Sequence, residues 1–361
     1  MTFIPKFNIT PALTKIMMDI ESSRQAVSSL PITLHVLESL RESARLTATH
    51  YSTQIEGNRL TQEQVKEVLQ GGTFPNRERD EHEIKNYYKA LDYVDGLIKQ
   101  DSKIINEIDI RTIHGLVMNG KQKATDYRDG QNVIKDSMSG AIVYMPPESK
   151  DVTNLMKDMV SWINNEKDLP APIIASIAHY QFATIHPYYD GNGRTARLLT
   201  NLILHKCGYG LKGIYSLEEY YSRNLQNYYD ALTIGESHNY YFGRADADIT
   251  KWITYFCSGM ADSFAIVRLK ASEAALNVGK EKIDQTPLLR QLDQRQKQVL
   301  SLFKESKFIT TKAIANLLKI HPRSALNLCK KWVDEDFIIQ SGTSNKTRKY
   351  ELSKKWVSLI I

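Results

Sequence analysis

An apolar helical run, PIIASIAHYQFATI (residues 172–185), stops against His186 and Pro187, and a second helical run, RTARLLTNLILHKCG, starts at Arg194. Proline clashes with a helix continuing on its N-terminal side, so the first helix must end there. What remains, Asp190-Gly191-Asn192-Gly193, is a tight turn leading directly into a helix N-terminus, with the new helix expected to begin after Gly193. This junction, HPYYDGNGRTAR, sets a helix, a forced turn and a helix in the middle of the chain.

Around it helical periodicity dominates. LPITLHVLESLRESARLTATHYSTQIEGN reads as one amphipathic helix stopped by Gly57-Asn58, and Thr61 with Gln64 reads as a capping box opening TQEQVKEVL. GGTFPNRERD is a loop. EHEIKNYYKALDYVDGLIK, DIRTIHGLVMN and DVTNLMKDMVSWINN return to helix. The exception is YRDGQNVIKDSMSGAIVYMPPESK, where β-prone runs at Val133-Ile134 and Ala141–Tyr144 flank a turn bearing Ser and Gly and predict a small hairpin, stopped by Pro146-Pro147. From about residue 263 the chain becomes polar and rich in Lys and Gln, as a helical linker would. Beyond Pro287 come three helices, QRQKQVLSLFKE, TTKAIANLL and HPRSALNLCKKWVDED, then two short strands in FIIQSGTSNKTRKYELS.

The junction concentrates chemistry. At a helix N-terminus, unpaired backbone N–H groups and the helix dipole favour an anion, and glycines let the backbone approach it closely. Arg194 and Arg197 lie three apart, on one helical face, so both can point at one ligand. Asp190 would repel a phosphate there unless a divalent cation intervened; Mg²⁺ on one carboxylate plus phosphate oxygens resolves the conflict. His186 adds a base that ordinarily titrates near neutral pH. The parts describe a polyphosphate–Mg²⁺ site with a base beside it, suited to nucleotidyl or phosphoryl transfer to a hydroxyl. A His/His/Asp metal site with His179 lacks a third neutral ligand, and His179 reads as a core residue. No GxxxxGK[ST] pattern occurs, which excludes a P-loop NTPase.

HPYYDGNGRTAR resembles the motif HPFxDGNGRxxR of the Fic family of AMP-transferases, with Tyr188 in place of the usual Phe. The resemblance extends through HYQFATIHP, the YRDGQNVI…YMPP flap hairpin and EEYYSRNLQNYYDAL, covering residues 30–260 approximately. It implies that His186 deprotonates a target Tyr, Thr or Ser hydroxyl that attacks the α-phosphate of ATP. It also implies that Asp190 holds Mg²⁺ and that Gly191, Asn192 and Gly193 form the anion hole. Arg194 and Arg197 would grip the β- and γ-phosphates. Tyr220 and Asn224 match positions near the adenosine, although Leu225 stands where the family often has Arg. Gln131, Asn132, Val133 and Ile134 would dock the target backbone as an added strand. Doc-like relatives, which transfer phosphate, carry Lys at the position of Gly193, so glycine here favours AMP transfer. STQIEGN, Ser52 to Asn58, matches the family's inhibitory pattern [S/T]xxxE[G/N]: Glu56 would pair with Arg197 and misplace ATP. The same Glu could instead align water to remove AMP, and otherwise it simply ends a surface helix.

Net charge is +6, yet residues 287–361 carry fifteen Lys/Arg against six Asp/Glu, leaving the rest at −3. This C-terminal stretch looks like a winged helix. Arg323, Lys330, Lys331, Lys346, Arg348 and Lys349 would meet DNA phosphates; target presentation or contact within a homodimer is the other reading. No apolar run is long enough to span a membrane, no signal peptide is recognisable, and three scattered cysteines suit a reducing cytoplasm.

The expectation is a mainly α protein. An N-terminal helical region with the inhibitory helix (1–105) precedes a Fic catalytic core with a β-hairpin flap (106–262), a helical linker (263–288) and a winged helix (289–361). Its expected activity is AMP transfer from ATP–Mg²⁺ to a protein hydroxyl, its own included. The alternatives are a DNA-binding regulator with a nucleotide-sensing Fic body, or an enzyme that mainly removes AMP.

Overall fold

The computed structural model describes residues 3–100, 102–135, 140–235, 238–278, 286–341 and 348–360. The chain divides into two compact units, one of residues 1–28 and 41–268, the other of residues 29–40 and 269–361.

The first unit is built mainly of helices. α1 (Pro11–Ser29), α2 (Leu34–Ile55), α3 (Gln62–Leu69), α4 (Glu78–Ile98) and α5 (Glu107–Asn119) precede the hairpin β1 (Ile134–Lys135) and β2 (Ile142–Tyr144). Then follow α6 (Ser149–Asn165), α7 (Ala171–Ile185), α8 (Asn192–Lys206), α9 (Glu218–Arg223), α10 (Leu225–Leu232) and α11 (Thr250–Val278). The Thr61–Gln64 capping box forms in both directions at the start of α3. Gly120 closes α5 in the left-handed region, φ 62°, where glycine carries no Cβ penalty.

α7 is the centre of this unit. Nearly all of its residues are buried, and it packs against α8 on one side and α6 on another. Phe182 of α7 and Leu198 and Leu199 of α8 are fully buried, each worth about 1.5–3 kcal/mol relative to exposure. Trp252 of α11 is also fully buried and donates its indole N–H to the Ser176 carbonyl at 2.7 Å. α4 and α5 pack on each other and on α8. The helices on either side of the junction, α7 and α8, are therefore each packed against further helices.

The junction departs from expectation in one respect. α8 begins at Asn192, not after Gly193, with Gly191 as its cap in the left-handed region at φ 75°. The Asn192 amide causes this. It folds back to accept the Tyr188 N–H at 3.0 Å and to donate to the Tyr188 carbonyl at 2.8 Å, closing the turn early. Gly193 thus lies inside the first helical turn. The tract expected to act as a linker from residue 263 starts without a break, because α11 runs continuously from Thr250 to Val278.

The second unit contains α12 (Thr286–Gln291), α13 (Gln294–Glu305), α14 (Thr311–Leu318) and α15 (Pro322–Asp334). The antiparallel pair β3 (Ile338–Ser341) and β4 (Lys349–Leu352) follows. Ile309 pairs with Tyr350 through reciprocal backbone bonds of 2.9 Å, adding a short third rung to the hairpin. Phe303, Trp332, Phe337 and Tyr350 form its core. Most of the basic turn between the strands, Lys346 included, lies outside the described residues, as do residues 136–139 in the turn of the first hairpin.

Candidate active site

His186 closes α7 in the left-handed region at φ 49°, uncommon for a residue with a Cβ, and its N–H bonds to the Phe182 carbonyl at 3.0 Å. The Arg128 guanidinium holds this bend: its Nε donates to the His186 carbonyl at 3.0 Å, Nη1 to the Gly130 carbonyl at 2.9 Å, and Nη2 to the Pro147 carbonyl. The Arg128 backbone N–H adds a bond to the Pro187 carbonyl at 2.9 Å. One buried side chain thus ties the histidine's backbone to both ends of the hairpin. Burial lowers the His186 pKa to about 4, helped by the Arg128 charge and opposed by the Ala183 carbonyl, Glu56 and Asp190. The imidazole is neutral at pH 7 and free to accept a proton.

Beside it, His114 stacks on Tyr188 with ring centroids 3.5 Å apart and planes within 5°. His114 Nε2 lies 2.9 Å from the Asp190 carbonyl, which can only accept, so this nitrogen carries the proton. Burial lowers the His114 pKa to about 4. His114 thereby anchors the turn that carries Asp190. The Asp190 carboxylate itself is more than half exposed, accepting from the Gly191 N–H at 2.5 Å and from Arg194 at 3.3 Å. Among the described residues no group of three or more His, Cys, Asp or Glu converges as a metal cage. A single exposed carboxylate at a helix N-terminus fits Mg²⁺, which takes one or two protein carboxylates and draws its other ligands from phosphate and water.

Arg194 and Arg197 face different acids. Arg194 lies 3.7 Å from Glu83 of α4 and 3.3 Å from Asp190. Arg197, almost fully buried, donates Nε to the Ser52 hydroxyl at 2.8 Å, and Nη2 to the Ser52 carbonyl at 2.8 Å and to Glu56 Oε1 at 2.9 Å. Burial alone would lower the Arg197 pKa, and the field of Glu56, together with those of Tyr228 and Tyr87, raises it above the usual guanidinium value. Glu56 sits in the turn just past α2, before Gly57 at φ 94°. Its Oε1 reaches over the start of α8: a Cβ on Gly193 would come within 2.4 Å of it, and within 3.1 Å of Arg197 Nη1. A carboxylate therefore rests where a helix N-terminus, a glycine and an arginine make a place for an anion.

The remaining candidates divide. Gln131 donates to the Pro146 carbonyl at 3.0 Å, and Asn132 donates to the Tyr188 carbonyl at 3.3 Å while accepting from Val133 N–H at 2.8 Å. These hooks join the hairpin to the junction, and only Ile134 of the four flap residues enters a strand, opposite Tyr144. Tyr189 braces the same corner through Asp129 and the Gly130 N–H. Asn224 caps α10 by accepting the Asn227 N–H at 3.1 Å. Tyr220 lies against Gly259 and Tyr255. Tyr228 and Tyr229, not singled out in the sequence, stand in the field of Glu56 and Arg197. Neither Arg128 nor His114 carries a sequence signal of its role. His179 is fully buried between Thr200 and Tyr228, 3.0 Å from each hydroxyl.

Residues 104–204 match the Fic/DOC family. A protein adenylyltransferase Fic of Aedes aegypti is 30% identical over 196 residues, which is 53% of this chain and 38% of that protein. The matched region thus spans less than half the length of this curated relative. A Fic family protein from Desulfovibrio desulfuricans G20 shares the fold over 98% of this chain and 99% of its own, with TM-score 0.61 and 23% identity. Fic-1 of C. elegans is 25% identical and aligns over 73% of each chain with TM-score 0.58.

Proposed function

The chain carries a domain of the Fic/DOC family, and from that premise we propose that it is a protein adenylyltransferase, moving AMP from ATP to a side-chain hydroxyl of a protein and held in check by its own Glu56. The observation that carries this reading is the Glu56 carboxylate seated over Gly193 and bonded to Arg197 at 2.9 Å: the place is built for an anion, and a removable one fills it.

On this reading His186, neutral at pH 7, takes the proton of a target Tyr, Thr or Ser hydroxyl. The freed oxygen attacks the α-phosphorus of ATP, the bond from that phosphorus to the oxygen bridging it to the β-phosphate breaks, and pyrophosphate leaves. Backbone N–H groups at the α8 cap, Gly191, and in its first turn, Asn192 and Gly193, stabilise the charge that builds on the α-phosphate. Arg194 and Arg197 hold the β- and γ-phosphates. Asp190 is the protein ligand of Mg²⁺, which neutralises phosphate charge when bound. The target's backbone runs along β1, whose pairing with β2 uses one of its two edges. Tyr220 and Asn224 are assigned to the adenosine side.

Glu56 opposes this by taking the Arg197 bond that a γ-phosphate needs. The C-terminal unit, in which α13, α14 and α15 precede a hairpin, is assigned as a winged helix that presents a target or contacts a second copy. Exposed Arg323 and Lys330 on α15 make duplex DNA the competing ligand, and a salt titration of DNA binding by the full chain tests it.

The decisive experiment is incorporation of label from α-labelled ATP by the wild type, by Glu56→Gly and by Glu56→Gly/His186→Ala. Label is expected in the single variant and lost in the double. If no variant labels itself or any protein of a lysate, the reading fails.

A further inference from the structure

Each arginine of the junction faces an acid from another element, and the two acids stand in different relations to their partners. Glu56 lies 2.9 Å from Arg197 Nη2 and takes one of its hydrogens. Glu83, on α4, lies 3.7 Å from Arg194 Nη1, near enough to pair its charge and too far to hydrogen-bond. Glu83 therefore balances the cation without using up a donor that a phosphate would need.

Bonds on the carboxylate hold Glu83 at that distance. Its Oε2 accepts from the Asn58 amide at 3.3 Å, and its Oε1 accepts from Arg79 Nε at 3.2 Å. Asn58 is itself buried and fixed. Its amide also donates to the Asp80 carbonyl at 3.0 Å, its side-chain oxygen accepts the Leu60 N–H at 3.1 Å, and its own N–H bonds to the Thr53 carbonyl at 3.1 Å. α4 packs on α8, and the Glu83–Arg194 pair bridges these two helices.

Arg194 needs such a partner. Its side chain is almost fully buried, and its Nε has no hydrogen-bond partner among the described residues. Its other acid, Asp190, lies 3.3 Å from Nη2 but is 59% exposed, against 13% for Glu83. Charge pairing is screened less at the more buried acid, so Glu83 is the steadier of the two. Asp190 is also the residue assigned to Mg²⁺. Without Glu83 the guanidinium is left to Asp190 alone, and each then occupies the group that the other's ligand requires.

We propose that Glu83 is a positioning residue: held by Asn58 and Arg79, it keeps the Arg194 guanidinium in place for the β-phosphate and off Asp190. The inference rests on the adenylyltransferase reading and concerns a different phosphate from the one that Glu56 opposes.

The test is calorimetric binding of ATP, ADP and AMP, each with magnesium, to full-length Glu56→Gly and to the same protein carrying Glu83→Gln or Glu83→Ala. Glu83→Gln preserves size and an acceptor for Asn58 while removing the charge, so it keeps the test alive if Glu83→Ala fails to fold. Both substitutions are expected to weaken ATP and ADP alike, by about fivefold or more, while AMP changes by less than about twofold. Equal weakening of all three nucleotides would mean a general packing effect and overturns the proposal. So does a loss confined to ATP, which would place the effect at the γ-phosphate. Unchanged or tighter binding of ATP and ADP in Glu83→Gln overturns it as well, since the acid would then be idle or a competitor of the phosphate. If Glu56→Gly itself binds no ATP, the adenylyltransferase reading falls and takes this inference with it.

Discussion

Two residues at the junction lend themselves to sharp tests. His186 is held to about 4 by burial, well below its usual 6.5, so labelling by Glu56→Gly should lose its base only as pH drops through about 4. A rate profile whose acid limb falls near 6.5 would show a solvated histidine and contradict this. Gly193 is the second. An added Cβ meets Glu56 Oε1 at 2.4 Å, so Gly193→Ala must push that carboxylate aside, yet the methyl then stands where a phosphate would sit. Gly193→Ala is therefore expected to loosen the ion pair without releasing activity. In the Glu56→Gly background it should weaken ATP by about tenfold or more, measured by calorimetry, because the close approach of backbone to anion is lost. Recovery of full labelling in Gly193→Ala alone would rule this out.

Among elements, the hairpin depends on Arg128. With three backbone carbonyls on one buried guanidinium, Arg128→Ala frees the hairpin from the junction and unpins the left-handed His186. Target labelling by Glu56→Gly/Arg128→Ala should fall by about tenfold or more while ATP affinity is kept, since misplacement affects the reacting geometry first. A loss of ATP affinity of the same size would put Arg128 in the nucleotide site instead. This arginine also shows what a sequence hides. Pro187 and Gly191 announce the α7–α8 crossing because their effects are local: one forbids a helix, the other permits a positive φ. The start of α8 is not legible in the same way, because a side chain, Asn192, closes the turn by bonding back to Tyr188, and composition gives no measure of that. Arg128 meets His186 across 58 residues, Tyr87 meets Glu218 across 131, and Arg197 meets Ser52 across 145. Helical periodicity says which face of each element is apolar; it does not say which buried polar atoms end up opposite one another. Ser52 and Glu56 stood out only because they belong to a known pattern.

For the molecule as a whole, acid should act unevenly. Burial lowers His114, His179, His186 and His205 to about 4, 3, 4 and 4, and all four belong to the unit of residues 1–28 and 41–268. The unfolded chain takes up these protons near 6.5 and the folded chain does not, so stability rises with pH across this window. It is fully present above about 6.5 and lost as pH falls toward 4. Calorimetry of the full chain should show the transition of this unit moving to lower temperature between those limits. A transition that holds its temperature would mean the histidines are already hydrated. Glu56 and Arg197 carry a different consequence. They belong to one polypeptide, so every copy of the proposed catalyst is made with exactly one inhibitor already tethered at high local concentration. Making more of the protein cannot outnumber that inhibitor, and diluting the protein cannot shed it. Gene dose is then a poor control, and output depends on whatever competes for the guanidinium within a single molecule.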